Sequence, residues 1–266
     1  MNSNSVDVNA LLTGAVNEGV LDVKSLNILN AVDDIGARIQ AGLGTPADAI
    51  TASEVILVSM LVDDSGSMLG PPAQAAITGH NAVIQALMDS KQKSGILIST
   101  RLLNGTIISP YTPLDQALAL TPKNYLCMGS TPLYDESLLL LGTVLTKAQE
   151  FSDNGVPVRT VSLIVTDGAD TSSNNTVTRV KPVVKDLLRA ENHIVSAMGI
   201  GQDPADEKMF RDIFEKMGIL PQWILTPSNN PSEIRKAFAV FSQSAVRASQ
   251  NAANFSQTAV GGFGTP

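Results

Sequence analysis

The sequence contains almost no cysteine. Cys127 is the only one among 266 residues. A single cysteine cannot close an internal disulfide, and it cannot supply the cysteine pairs of a structural zinc site. Small disulfide-stapled folds and zinc ribbons are therefore excluded, and we expect Cys127 to be a small buried residue.

Long apolar runs and clusters of basic residues are absent as well. No window approaches the ~18 consecutive apolar residues of a membrane span. The N-terminal MNSNSVDVNA lacks the basic start and apolar stretch of a signal peptide. The net charge is −7 and no Lys/Arg run occurs, which argues against a nucleic-acid surface. The sequence predicts a soluble cytoplasmic protein that binds neither membrane nor nucleic acid.

Histidine is scarce, and the common catalytic motifs are missing. Only His80 and His193 are present. Neither the phosphate-binding pattern Gly-x-x-x-x-Gly-Lys-Ser/Thr nor the nucleophile pattern Gly-x-Ser-x-Gly occurs. We expect His80 inside a helix and His193 just before a strand, away from the strand ends where ligands bind. A serine hydrolase needs a histidine base beside its nucleophile, so these absences argue against that class.

Hydrophobic residues, at 44%, suffice for a full domain core, and their pattern divides the chain into three parts. Residues 1–50 have apolar residues at helical spacing, which predicts a helical extension of two helices, about 8–17 and 24–42. We expect it to pack on the main domain, with docking to a partner as the alternative. Residues 51–250 form the main domain. Residues 251–266, rich in Asn, Ser and Gly, are predicted to be a disordered tail.

Short apolar runs alternate with helical patterns in the main domain. This alternation predicts a parallel sheet with helices on both faces. The Asn104-Gly105 turn between two strand-like runs predicts one antiparallel strand at an edge. The expected fold is a doubly wound, Rossmann-like α/β sheet, with strands at 55–62, 96–103, 106–109, 161–165, 194–200 and 223–225 and helices at 71–90, 133–150, from Pro182, from Pro204 and from Pro231.

Residues with oxygen-bearing side chains collect where the predicted strands end. The first strand leads into Asp63-Asp64-Ser65-Gly66-Ser67, and the strand 161–165 leads into Thr166-Asp167-Gly168. Thr131 stands at the head of a predicted helix. Ligands of doubly wound sheets bind beyond the carboxyl ends of strands. Because hard oxygen donors suit Mg²⁺, or Mn²⁺, we predict a metal site there, with the ligands Asp63, Ser65, Ser67, Thr131 and Asp167.

The charges of this ligand set indicate what the metal would do. Asp63 and Asp167 are enough to neutralise a divalent cation, and the three hydroxyls add oxygen without charge. A metal with so few anionic ligands can accept a carboxylate from outside, which a cage of several aspartates would repel. The alternative for each residue is a turn or helix-capping role, ahead of the helix at 71 or of Pro132.

Three motifs together carry a family resemblance. Asp63-x-Ser65-x-Ser67, then Thr131 within Gly-Ser-Thr-Pro-Leu, then Thr166-Asp167-Gly168 resemble the metal-ion-dependent adhesion site (MIDAS) of the von Willebrand factor A (VWA) family. The resemblance covers about 54–250. It implies that the serines and Thr131 touch the metal directly, while Asp63 and Asp167 bind directly or through water. It also implies that a partner's Glu or Asp takes the sixth position, and that Thr131 joins in the ligand-bound form.

The resemblance implies a non-enzymatic, Mg²⁺-dependent adaptor that binds another protein. Intracellular bacterial members of the family work with AAA+ ATPases of the MoxR or chelatase type, or in tellurium-resistance-type clusters with a kinase and a phosphatase. The segment 241–246, Phe-Ser-Gln-Ser-Ala-Val, is similar to the ending of the tellurium-resistance-type group, although the zinc ribbon common there has no cysteines here.

Two other functions stay open at this point. One is a structural protein that forms homo-oligomers, with the carboxylate of one copy on the metal of another. The other is a Mg²⁺-dependent phosphatase with Asp63 as nucleophile. Phosphatases of the haloacid dehalogenase type need a second Asp two residues further on, where this chain has Ser65.

Overall fold

The protein is described by a computed structural model that covers residues 6–91, 93–250 and 262–263. A six-stranded sheet forms its centre, with strands β1 (Val55–Val62), β2 (Ile96–Leu102), β3 (Ile107–Pro113), β4 (Val158–Thr166), β5 (His193–Gly199) and β6 (Ile224–Leu225). Their order is β3-β2-β1-β4-β5-β6. All neighbouring strands are parallel except β2 and β3, which form the predicted antiparallel hairpin at one edge. The doubly wound α/β fold is therefore confirmed.

Eight α-helices surround this sheet in the described part of the chain: α1 (Val8–Asn17), α2 (Val23–Asn30), α3 (Ile35–Leu43), α4 (Pro71–Met88), α5 (Leu133–Asp153), α6 (Val177–Arg189), α7 (Pro204–Met217) and α8 (Pro231–Gln250). The chain leaves β1 for β2 on one side and later crosses to β4 on the other. Right-handed crossovers then place α4 and α5 on opposite faces. Every residue of β1 is buried, as expected for a strand covered on both sides. None of these helices is long and apolar enough to cross a membrane.

The N-terminal extension has three helices where the sequence predicted two. The predicted helix 24–42 is broken between α2 and α3, where Asp34 adopts a left-handed conformation with φ of 52°. The apolar spacing continues through the break, so periodicity alone gives no sign of it. The break lets Leu29 and Ile39 reach the same point on α5: a Cβ added at Gly142 would lie 3.5 Å and 3.0 Å from their side chains. Tertiary packing therefore decides the boundary.

Helix α5 is covered by the sheet, by α6 and by the extension. Each of its residues from Glu136 to Phe151 is buried, and α1 and α3 both pack along it. A charged cluster joins the same elements, since Glu136 accepts a hydrogen bond from Arg38 of α3 and lies 3.6 Å from Arg101 of β2. The extension and the sheet thus share one core, and a domain boundary at residue 50 stays a prediction.

The segment after α3 lies against the outer edge of the sheet. The backbone N–H of Thr45 donates to the carbonyl of Tyr111 in β3, at 2.8 Å. Gly44, with φ of 60°, approaches so closely that a Cβ there would stand 2.0 Å from the same carbonyl oxygen. Only glycine combines this backbone conformation with this contact.

The start of α6 also differs from the sequence prediction. Pro182 does not begin α6 but lies inside it, five residues after its start. An interior proline removes a helix hydrogen bond, and the buried stripe of Val180, Val183, Val184 and Leu187 compensates by holding the helix on the core. The predicted disordered tail 251–266 lies outside the described residues, apart from Gly262 and Phe263. The Phe263 ring meets Trp223 edge-on, with centroids 5.2 Å apart.

Both histidines are buried, and this makes the fold sensitive to acid. His80 in α4 bonds Thr100, at 2.9 Å, and His193 at the start of β5 bonds Thr160, at 2.7 Å. Burial lowers the pKa of each from 6.5 to about 4. The unfolded chain takes up protons near pH 6.5 while the folded protein keeps both rings neutral. Below pH 6.5 protonation therefore favours unfolding, and the loss grows until the pH reaches about 4.

We expect the free energy of unfolding to fall between pH 6.5 and 4, by up to about 3 kcal/mol for each histidine. Urea denaturation at several pH values measures this slope. A His80→Asn, His193→Asn double variant keeps a hydrogen-bonding side chain at both positions without the titration, and its slope should be flatter. Equal slopes for the two proteins would contradict the assignment.

Candidate metal centre

The predicted site lies where the chain reverses its direction of travel across the sheet. β1 and β4 are parallel neighbours, with Val62 opposite Val165, so both strands end at the same edge. The Asp63 N–H still donates to the Val165 carbonyl, at 3.0 Å. From here the chain turns to β2 on one side, while β4 lies on the other. This is the switch point at which doubly wound sheets bind ligands, and the segments after β1 and β4 meet there.

Asp63 is fully buried, and hydrogen bonds fix both of its carboxylate oxygens. Oδ1 accepts the N–H of Ser65 at 2.7 Å, and Oδ2 accepts the hydroxyl of Thr166 at 2.6 Å and the N–H of Asp167 at 3.4 Å. The capping alternative fails for this loop, because α4 begins after Gly70 and receives no side-chain cap. Asp63 instead ties the two strand ends together.

Ser65, Ser67 and Asp167 bring their side-chain oxygens to one point. The two serine hydroxyls are 3.0 Å apart. Asp167 Oδ1 accepts from Ser67 at 2.6 Å and lies 3.5 Å from Ser65 Oγ. Residues a hundred or more positions apart thus form a compact oxygen cluster. Ser67 is exposed and Asp167 partly exposed, so the cluster opens to solvent on one side.

Thr131 lies beside this cluster but not in hydrogen-bonding contact with it. Its hydroxyl would be 3.9 Å from a Cβ at Gly168. It does not cap α5 either, since Ser173 accepts the N–H groups of Tyr134 and Asp135 at 3.0 Å each. Within the described residues the Thr131 hydroxyl makes no hydrogen bond and is free to bind a ligand.

Backbone contacts hold Thr131 in place. Its N–H donates to the Thr171 hydroxyl at 2.9 Å, and its carbonyl accepts the Thr171 N–H at 2.9 Å. Tyr125 supports the neighbouring loop, donating its hydroxyl to the Asp63 carbonyl. No motif in the sequence marks Thr171 or Tyr125 as supports of the site, because both lie on distant loops. Thr166, by contrast, is marked by its place directly before Asp167.

The site holds more negative charge than its protein neighbours balance. Burial raises the pKa of Asp64 to about 6, and burial together with nearby Asp63 raises the pKa of Asp167. Asp64 accepts the N–H of Asn104 at 3.0 Å through one oxygen, but its buried Oδ2 has no partner. Across residues 6–91 and 93–250, no Lys, Arg or His forms an ion pair with any of the three aspartates.

A divalent cation fits this environment. The described residues contain no group of three or more His, Cys, Asp or Glu side chains placed to hold a metal, so a cation here would depend on hydroxyls as well as carboxylates. The donors here are two carboxylates and three hydroxyls, all hard oxygens suited to Mg²⁺, Mn²⁺ or Ca²⁺. A bound cation would supply the positive charge that these aspartates lack. The donor set therefore suits a divalent metal with room for an outside ligand.

No family model matches this chain, and no curated protein matches it. Among solved structures, the pilus adhesin SpaC from Lactobacillus rhamnosus GG in its open conformation is similar over 73% of this chain and 30% of its own, at 12% identity and a TM-score of 0.54. This chain thus spans less than a third of the adhesin. At such identity the likeness shows a shared fold.

Two further solved structures are similar to this chain. A von Willebrand factor type A protein from Catenulispora acidiphila is 18% identical over 74% of this chain and 43% of its own, with a TM-score of 0.47. Proximal thread matrix protein 1 from the mussel byssus, with a zinc-occupied MIDAS motif, is 12% identical over 73% of this chain and 46% of its own, with a TM-score of 0.47.

Proposed function

We propose that this chain is a VWA-type protein-binding module whose divalent metal accepts a carboxylate from a partner protein. The observation that carries the proposal is the oxygen cluster at the switch point. Asp63, Ser65, Ser67 and Asp167 converge there, with the unbonded hydroxyl of Thr131 beside them. No protein cation in the described part of the chain balances these carboxylates.

Mg²⁺ is the metal that we propose, with Mn²⁺ as the closest substitute. Ser65, Ser67 and Thr131 would hold it through their hydroxyls, and Asp63 and Asp167 directly or through water. When bound, the cation supplies a positive centre that attracts a Glu or Asp side chain from outside. The protein's part is to fix the donors, to exclude water on the buried side and to leave the solvent side open.

The chemistry of the surroundings supports binding without catalysis. His80 and His193 are buried and bond Thr100 and Thr160, so neither serves the cluster as a base. Both oxygens of Asp63 already accept hydrogen bonds, which makes it a poor nucleophile. A hydrolytic mechanism would need a proton-transferring group open to the substrate, whereas Asp64, the carboxyl group whose pKa burial raises to about 6, is fully buried.

The setting of the interaction is a further part of the proposal. We propose a cytoplasmic bacterial assembly in which the partner is an AAA+ ATPase, or a kinase or phosphatase. This rests on the family resemblance alone. Phe241, in the segment similar to the ending of the tellurium-resistance-type branch, is fully buried in α8, so core packing also accounts for it.

Chelation tests the proposal directly. We expect the immobilised protein to capture a partner from an extract of its source organism in Mg²⁺, to release it in EDTA, and to recapture it when Mg²⁺ returns. Asp63→Ala should abolish capture, whereas Asp212→Ala, at an exposed position of α7, should not. Circular dichroism checks that the fold persists. Capture that survives both EDTA and Asp63→Ala would contradict the proposal. Light scattering with and without Mg²⁺ shows whether the partner is a second copy of this chain.

A further inference from the structure

Exposed apolar side chains gather around the candidate metal centre. The large hydrophobic residues that the described part of the chain exposes are Val23, Leu69, Leu118, Leu126 and Met128. Three of these lie on the two loops beside the oxygen cluster: Leu69 is 72% exposed, Leu126 51% and Met128 79%. We call these three residues the apolar rim. Single exposed hydrophobics are ordinary, but a group beside a ligand site marks an interaction surface.

The backbone holds the apolar rim next to the donor oxygens. Gly66 donates its N–H to the Gly129 carbonyl at 3.2 Å, and Met128 donates to the Asp64 carbonyl at 3.0 Å. Leu69 follows Ser67 by two residues, and its N–H donates to the Gly66 carbonyl at 3.2 Å. The two loops are therefore tied to each other, so the rim has a fixed place beside the metal donors.

Buried and exposed residues alternate in the segment before Thr131, and this alternation turns Leu126 and Met128 outward. Tyr125 and Cys127 are buried, while Leu126 and Met128 between and after them point to solvent. The inward residues are needed for the core and for the hydrogen bond to Asp63. The outward residues leave half or more of their apolar surface in solvent, where an external contact could cover it. Methionine, which adapts its shape, is common at such binding surfaces.

We propose that the apolar rim selects the neighbours of the carboxylate that binds the metal. The occupant is a segment of a partner protein in which a Glu or Asp is flanked, within one or two residues, by bulky aliphatic or aromatic side chains. This inference rests on the proposed function, since the metal would bind the partner's Glu or Asp side chain and the rim would contact the residues beside it. Burying these apolar groups also excludes water from the metal–carboxylate contact, which strengthens it.

The charge of the chain favours a protein partner over a lipid surface. Attachment to anionic membranes relies on clusters of Lys and Arg. This chain has a net charge of −7 and no such cluster. A carboxylate within an apolar segment could bind the metal while its neighbours contact the rim. An anionic bilayer would instead be repelled by the negative net charge of the protein.

Peptide selection tests the proposal. A displayed library with a fixed Asp or Glu at the centre of seven randomised positions is bound in Mg²⁺ and eluted with EDTA. We expect Leu, Ile, Met, Phe or Trp to be enriched next to the acid. The double variant Leu69→Ser, Met128→Ser should bind the selected peptides about tenfold more weakly, with unchanged Mg²⁺ affinity. Val23→Ser, at a position 60% exposed on α2, is the matched control and should bind normally.

The other outcomes separate this inference from the function on which it rests. Mg²⁺-dependent peptides with polar neighbours, or binding that the double variant retains, would overturn the role of the rim and leave the metal-dependent module standing. An absence of any EDTA-eluted peptide would count against both. Mg²⁺-dependent flotation with phosphatidylserine vesicles that the double variant loses would replace the protein partner with a lipid one.

Discussion

Deletion of residues 1–43 is expected to leave the remaining chain unable to form a soluble, folded monomer. The helices α1–α3 cover α5, and Leu12, Leu29 and Ile39 are fully buried against the common core. Each such side chain contributes about 1.5–3 kcal/mol. Deletion leaves the apolar face of α5 under these side chains open to water, and losing even part of this burial removes a large fraction of the ~5–15 kcal/mol that stabilises a typical domain.

The charged cluster adds to this loss. Without α3, Glu136 loses the hydrogen bond from Arg38 and keeps only Arg101, 3.6 Å away, while it lies against newly exposed apolar surface. Expression, size-exclusion chromatography and circular dichroism of the chain 44–266 measure the outcome. A chain that begins at Val6 is the control. A point variant separates packing from deletion: Ile39→Asp should destabilise strongly, and Val23→Asp at an exposed position should not. A chain 44–266 that melts cooperatively would contradict the expectation.

Mg²⁺ is expected to stabilise the protein against heat, and the substitutions Asp63→Asn and Asp167→Asn are expected to remove this effect. A ligand that binds only the folded state at a hundred times its dissociation constant adds about 2.7 kcal/mol. Each substitution takes away one of the two charges that hold the cation. Thermal melts in Mg²⁺ and in EDTA give the shift, with Asp212→Asn as the control.

In EDTA, by contrast, Asp167→Asn should not destabilise the protein. Asp63, Asp64 and Asp167 are close together and buried or partly buried. Burial, followed by repulsion from the nearby Asp63, raises the pKa of Asp64 and that of Asp167. Asp167→Asn removes part of that repulsion and keeps a hydrogen-bonding oxygen for Ser67. In EDTA it should therefore melt at or above the temperature of the unmodified protein. A large drop in EDTA would indicate that Asp167 serves the fold rather than a metal.

The strands of this fold could be predicted from the sequence because burial on both faces leaves a plain signature. β1 spans the predicted residues and the edge hairpin turns at Asn104-Gly105 as predicted, although β3 runs to Pro113, four residues past its predicted end. The break at Asp34 and the interior Pro182 could not be predicted, because each depends on what lies across the core. At Asp34 the packing of the extension on α5 overrides the local helical pattern. At Pro182 the buried valine and leucine stripe of α6 overrides the tendency of proline to end a helix.

The candidate site was predictable to a similar extent. Asp63 and Asp167 were placed together because residues that follow neighbouring parallel strands must meet at one edge. The position of Thr131 follows instead from its pairing with Thr171, and the capping of α5 follows from Ser173, both on a loop about forty residues away. No sequence pattern announces such a contact. The ligand function of these residues stays a prediction until a metal is measured.

The Gly44-Thr45 segment has a consequence for how copies of this chain can associate. Fibrils and strand-swapped polymers grow when a free row of backbone N–H and C=O groups templates an incoming strand. Thr45 occupies the Tyr111 carbonyl on the outer strand β3, and the opposite outer strand, β6, offers only two residues. The first outer strand is thus covered at Tyr111, and the second is too short to template a long incoming strand. Self-assembly through the metal loops would instead be reversible, and copies joined in this way would separate when the metal is chelated.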